Sequence, residues 1–100
     1  MHNVWTRKRH LDYILDTLKQ KLTNGKFYIF GSRAKGTNKE YSDIDIAVKC
    51  NDKKISADVL GKLLITFTDS TLPYEVDIID LNSIDENFKN LIKDDLIELK

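Results

Sequence analysis

Hydrophobic positions along the chain follow two spacings, one typical of helices and the other of strands. Spacings of three and four residues predict three helices: one ends at Asn24-Gly25, the second stops before Pro73, and a capping box from Ser83 to Glu86 opens the third. The apolar residues at these spacings are Leu11, Ile14, Leu15, Leu18 and Leu22, then Ile55, Val59, Leu60, Leu63, Leu64 and Phe67, then Phe88, Leu91 and Ile92.

Shorter segments have the patterns of strands. Residues 27–30 form an apolar and aromatic run that stops at Gly31, as expected of a buried strand. Residues 44–48 and 75–80 alternate between apolar and other positions, and residues 96–99 fit either a further helical turn or a short strand. Strands interspersed with helices predict an α/β (α+β) domain.

The second strand carries two carboxylates on one face. Because side chains alternate along a strand, Asp43 and Asp45 share a face, while Ile44, Ile46 and Val48 share the other. Two neighbouring carboxylates repel and raise each other's pKa unless a cation lies between them. Magnesium suits such a pair because it takes carboxylate, phosphate and water oxygens together.

A third carboxylate is expected on a neighbouring strand. Alternation in residues 75–80 places Val76 and Ile78 toward the core, which leaves Asp77 as the best candidate for the polar face and Glu75 as the second. Asp80 is expected to end the strand.

The turn after the first strand offers a phosphate site. Gly31 can adopt unusual backbone angles, Ser32 can start a helical turn with unpaired N–H groups, and Gly36 closes the segment. The spacing excludes a Walker loop, since Gly36 is followed by Thr37 and Asn38, and it excludes an EF-hand. Together, the turn and the carboxylates predict a site for a metal-bound nucleotide.

These motifs resemble a known signature. Gly31-Ser32, ten intervening residues, Asp43-x-Asp45 and a later strand carboxylate are similar to the DNA polymerase beta-type nucleotidyltransferase superfamily, and within it to the minimal nucleotidyltransferase (MNT) proteins. The resemblance implies one domain over residues 1–100, with a small mixed sheet and helices packed mainly on one face. Lys35 departs from the pattern, since an arginine is common there.

The resemblance also implies roles for individual residues. Asp43, Asp45 and Asp77 would be catalytic and hold one or two Mg²⁺ ions. Arg33 and Lys35 would be placed to neutralise the departing pyrophosphate, although either could equally be a solvated side chain. The residues implied to bind the nucleotide, ATP, are Gly31, Ser32, Arg33 and Ser42.

The function implied by the resemblance is AMP transfer from ATP to a protein hydroxyl. MNT proteins act as antitoxins of HEPN-type ribonuclease toxins, and some transfer AMP to a tyrosine of that partner, so a hetero-oligomer is expected.

One alternative is a catalytically silent antitoxin that neutralises its partner by binding. Another is transfer to a small molecule or to RNA. The lack of an acceptor domain disfavours the small-molecule acceptor. The even charge and the lack of a basic, aromatic-studded strip disfavour nucleic acid as a direct substrate.

Composition agrees with a small cytoplasmic domain. The 100 residues can bury one core, and a formal net charge of zero combines a basic first part with an acidic second part. No apolar run approaches a membrane span, no signal peptide is evident, and the single Cys50 fits a reducing compartment. Two apolar segments are candidates either for a partner surface or for the core: Val4 with Trp5, and Leu96-Ile97 with Leu99.

Overall fold

The computed structural model describes residues 6–100, and Val4 and Trp5 lie outside this range. Within it, no helix is long and apolar enough to cross a membrane. The helices are α1 (Lys8–Lys21), α2 (Ser32–Lys35), α3 (Ala57–Thr68) and α4 (Glu86–Ile92). The strands are β1 (Lys26–Phe30), β2 (Ile44–Lys49), β3 (Val76–Asp80) and β4 (Ile97–Leu99).

The four strands form one mixed sheet in the order β3-β2-β1-β4. β1 is antiparallel to both β2 and β4, whereas β2 and β3 are parallel. The β2–β3 register pairs Ile44 with Val76 and Asp45 with Asp77. The start of β2 therefore lies between the end of β1 on one side and the start of β3 on the other.

One face of the sheet carries the larger hydrophobic core. Helices α1 and α3 pack here, because the apolar stripe of each helix faces the apolar side of β1 and β2. The buried members of this core are Leu11, Ile14, Leu15, Leu18, Phe27, Ile29, Ile44, Ile46, Val48, Leu63, Phe67, Val76 and Leu99. The predicted alternation in β2 is confirmed, since its three branched residues all belong to this set.

A second, smaller core lies on the opposite face. Ala47 from β2 packs with Leu81 and with Ile92 of α4, and Phe30 and Phe88 add partly buried surface. The two long helices thus share one face, as expected, while α4 covers part of the other. The region around residues 43–45 stays beside this smaller core.

The chain after α4 becomes part of the domain itself. Residues 97–99 form β4 against β1, which confirms the short-strand alternative. Leu99 is buried, Ile97 packs on the larger core, and Leu96 packs on the smaller one. Of the two predictions for these residues, a partner surface or the core of the domain, the structure confirms the core.

The capping box expected at Ser83 is wrong. Helix α4 begins at Glu86, and the N-cap is Asp85, whose carboxylate accepts a hydrogen bond of 2.8 Å from Phe88 N. The Ser83 hydroxyl instead donates to Asp80 Oδ2 at 3.0 Å. A buried carboxylate needs donors more than an exposed helix end needs a cap, so the hydroxyl turns inward.

Asp80 ends β3, as expected, and anchors the neighbouring loop. Its side chain is buried, and it accepts hydrogen bonds from Ile55 N at 2.7 Å and Asn82 N at 3.0 Å as well as from Ser83. The Asn82 side chain donates to two carbonyls of the same loop, those of Asn51 and Lys53. This network ties the β2–α3 connection to the end of β3 that lies away from Asp77.

Candidate active site

The turn between β1 and α2 has a conformation that requires glycine. Gly31 has φ 75° and ψ −153°, a region that residues with a side chain rarely adopt. The amides of Ala34 and Lys35 both bond back to Gly31 O at 3.1 Å, which forms the single turn of α2. The first amides of a helix have no partner within it, so the amide of Ser32 is the one this turn offers to a ligand.

Gly31 lies directly against Asp45. The β1–β2 register pairs Phe30 with Asp45, and the chain then bends over the carboxylate. A Cβ atom added at Gly31 would collide with Asp45 Oδ2 and would lie 3.2 Å from Asp45 Cγ. The structure therefore brings the expected phosphate turn into contact with one of the expected carboxylates.

The three carboxylates lie at the same end of the sheet. Asp45 and Asp77 are register partners on parallel strands, which run about 4.8 Å apart. Asp43 directly precedes β2. Asp43 and Asp77 are exposed, whereas Asp45 is partly buried.

The electrostatics of Asp45 reflect this crowding. Burial raises its pKa above the usual 3.8, and the charges of Asp77 and Asp43 raise it further. Within residues 6–100, no group of three or more His, Cys, Asp or Glu side chains is arranged to hold a metal ion. Asp45 and Asp77 lie side by side with Asp43 nearby, but the three side chains are not arranged as a complete set of metal ligands.

The raised pKa predicts how stability depends on pH. Because folded Asp45 holds its proton more tightly than the unfolded chain does, its contribution to stability falls as pH rises above 3.8. Its charged form destabilises the fold at neutral pH. We expect Asp45→Asn to raise the free energy of unfolding at pH 7 in EDTA, with a smaller gain at pH 3.5. Urea denaturation of both proteins at both pH values measures this, and a variant no more stable at pH 7 would contradict it.

Arg33 points into the protein. Its side chain is 3% exposed, and Nε and Nη2 donate to Ser42 O at 3.0 and 2.8 Å. Nη2 also donates to Glu40 O at 3.0 Å, and Nη1 donates to Thr6 Oγ1 at 3.3 Å. The guanidinium carbon lies 4.2 Å from the centre of the Tyr74 ring. The contact with phosphate expected of Arg33 stays a prediction.

Two other expected site residues also have partners in the protein. The Ser42 hydroxyl accepts a hydrogen bond of 2.8 Å from Lys39 N, which shapes the loop before β2. Lys35 Nζ forms an ion pair of 3.2 Å with Asp95, between α4 and β4. Lys35 is still half exposed, so its ammonium group remains accessible on the side of the turn that faces solvent.

A cleft of about 500 Å³ opens beside Asp77 along β3. Among residues 6–100, β3 is an edge strand, and no described strand pairs with its outer side. Leu64 and Phe67 of α3 and Leu72 form apolar walls, and Glu75 lies at the same edge. Asp77 is among the residues that line this cleft.

Sequence reasoning missed Tyr74 and Asp95. Tyr74 supplies the ring under Arg33, and its only sequence signal is its position just before the acidic strand. Asp95 follows α4, and no sequence pattern links it to Lys35. Both contacts depend on chain segments that the fold brings together.

A glycine-serine turn packed on the Asp45 carboxylate, with Asp77 beside it on the adjoining strand, is typical of a nucleotidyltransferase site. The chain belongs to the family described as polymerase beta nucleotidyltransferases, which matches residues 12–99. This confirms the resemblance and the fold expected from the motifs.

One named relative and two solved structures are similar to this chain. The chain is 30% identical to a Haemophilus influenzae protein named as the probable protein adenylyltransferase MntA, over 87% of this chain and 75% of that protein. A solved structure of the toxin–antitoxin MntA–HpeT with the Y104A mutation is similar with a TM-score of 0.73 and 27% identity, over 89% of this chain and 70% of that one. A toxin–antitoxin structure with AMP-PNP has a TM-score of 0.67 and 29% identity, over 78% and 62%.

Proposed function

We propose that this chain transfers AMP from ATP to a hydroxyl group of a partner protein and acts as its antitoxin. The observation that carries the proposal is the contact of the Gly31 turn with Asp45, beside Asp77 on the next strand. The similarity to the probable adenylyltransferase MntA and to a toxin–antitoxin complex that binds an ATP analogue supports this choice of activity and donor.

The carboxylates suit Mg²⁺ by chemistry and by charge. Asp43, Asp45 and Asp77 offer the hard oxygen donors that Mg²⁺ prefers, and the like charges that raise the pKa of Asp45 would be offset by a divalent cation. The remaining ligands would come from ATP phosphates and water. When bound, the metal would supply positive charge next to the reacting phosphates.

Other residues of the chain bind the phosphate and accept the proton. Gly31 leaves room for the Asp45 carboxylate, and the amide of Ser32 orients a phosphate beside it. Asp77, at the open edge of β3, accepts the proton of the acceptor hydroxyl. The hydroxyl oxygen bonds to the α-phosphorus as the bond to the bridging β-phosphate oxygen breaks, and pyrophosphate leaves.

The proposed partner is a HEPN-type toxin, and the proposed acceptor is one of its tyrosines. The MNT resemblance implies this partner, and the MntA–HpeT structure shows that a similar protein occurs in a toxin–antitoxin pair. A second protein would reach Asp77 at the exposed edge of β3. The single-domain organisation and the cytoplasmic location stay predictions.

Label transfer tests this function. The protein is incubated with Mg²⁺ and with ATP labelled at the α- or the γ-phosphate, in a lysate of its source cells. We expect one protein band labelled only from the α-phosphate, absent with Asp43→Ala/Asp45→Ala. The mass of that band identifies the acceptor. If no band appears while the protein still co-purifies with a partner, the binding-only antitoxin is the correct reading.

A further inference from the structure

We propose that Arg33 is a positioning residue: its guanidinium holds the segment of residues 38–43 and thereby keeps Asp43 beside Asp45. The catalytic consequence of this inference rests on the proposed function, because it concerns the same site. It assigns Arg33 a role in the protein's own loop in place of the expected contact with ATP phosphates.

The burial of Arg33 is the first reason. An arginine that is 3% exposed has left water, which is costly unless its donors find acceptors. The acceptors here are backbone carbonyls, two bonds reaching Ser42 O and one reaching Glu40 O. Ser42 directly precedes Asp43. The guanidinium therefore fixes the backbone position from which the Asp43 side chain extends.

The contact with Tyr74 is the second reason. The guanidinium carbon lies 4.2 Å from the ring centre, a cation–π contact in a partly buried place. Tyr74 lies three residues before Asp77, and the intervening Glu75 O accepts a hydrogen bond of 2.9 Å from Ile44 N. Arg33 thus touches both segments that enter the site, one leading into β2 and the other into β3.

The geometry requires arginine and not merely a positive charge. Arginine presents several N–H donors in a rigid plane, which lets it bond two carbonyls and stack on a ring at once. Lysine keeps the charge but offers a compact point donor that cannot do both. Arg33→Lys therefore distinguishes a contact with phosphate from the positioning of residues 38–43. A residue that only neutralises phosphate charge would tolerate lysine better than one that must bond two carbonyls and stack on a ring.

The experiment combines hydrogen exchange with kinetics on the full chain. For Arg33→Lys we expect amide exchange in residues 38–43 to rise about 5-fold or more. The kcat of AMP transfer should fall about 10-fold or more, with KM for ATP within about 2-fold of the original. Lys62→Gln, which removes an exposed cation on α3, is the control and should leave exchange and kinetics unchanged.

A second pair of variants keeps the test decisive if Arg33→Lys fails to fold. Tyr74→Leu removes the ring face and should shift exchange and kcat in the same direction, whereas Tyr74→Phe keeps the face and should not. Unchanged exchange in residues 38–43 would overturn the proposal, as would a KM for ATP raised about 10-fold with kcat retained, the signature of a phosphate contact. If the original protein transfers no AMP, the proposed function fails, while the exchange comparison still decides whether Arg33 holds the segment.

Discussion

Asp77→Asn is expected to reduce AMP transfer by roughly 10²–10⁴-fold, the range typical of a positioned proton acceptor. The structure gives the reason, since Asp77 is exposed and is the register partner of Asp45 on the neighbouring strand. An asparagine keeps the shape of the side chain but can neither accept the proton nor contribute a charge. The α-label transfer assay measures the loss as kcat and KM for the acceptor.

Glu75→Gln is the matched control for this prediction. Glu75 is also exposed, lies two residues earlier and borders the same cleft, and the sequence makes it the second candidate for the third carboxylate. Glu75, however, precedes β3, which begins at Val76, and the register partner of Asp45 is Asp77. We expect the control to retain activity within about 3-fold. The reverse result, with Glu75→Gln inactive and Asp77→Asn active, would transfer the role to Glu75.

The face from which Asp45 and Asp77 project could be predicted from the sequence because strand alternation is a local property. Once residues 44–48 form a strand with an apolar core face, Asp45 must project from the other face. The same argument selected Asp77, and the parallel register then set the two carboxylates side by side. Which strands are neighbours is a tertiary property, so the sequence alone supplied the third carboxylate only as a candidate.

Contacts between distant segments could not be predicted in this way. The Arg33 side chain contacts the carbonyls of residues 40 and 42 and the Tyr74 ring, and no local pattern in the sequence predicts these contacts. Ser83 is a local case with a different cause: it has the sequence of an N-cap, but the carboxylate of Asp80, three residues earlier, is buried and accepts its hydroxyl. Both contacts involve a buried polar group that needs hydrogen-bond partners, and the burial is set by the tertiary fold.

Gly31→Ala is expected to damage both the fold and the site. The backbone at φ 75° and ψ −153° is costly for any residue with a Cβ, about 1–3 kcal/mol of strain, and the new methyl group would collide with the Asp45 carboxylate. Displacing a reacting group by about 1 Å can cost about 100-fold in rate. We therefore expect a loss of about 1–3 kcal/mol in the free energy of unfolding, measured with urea, and about 100-fold lower AMP transfer.

Gly61→Ala supplies the control, because it is the same substitution with the opposite expected sign. A Cβ at Gly61 meets nothing within 4 Å, and the residue lies inside α3, where alanine is the better helix former. This variant should gain about 0.4–1 kcal/mol and keep its activity. If Gly31→Ala were as stable and active as Gly61→Ala, the turn would not be held against Asp45, and the observation on which the proposed function depends would be lost.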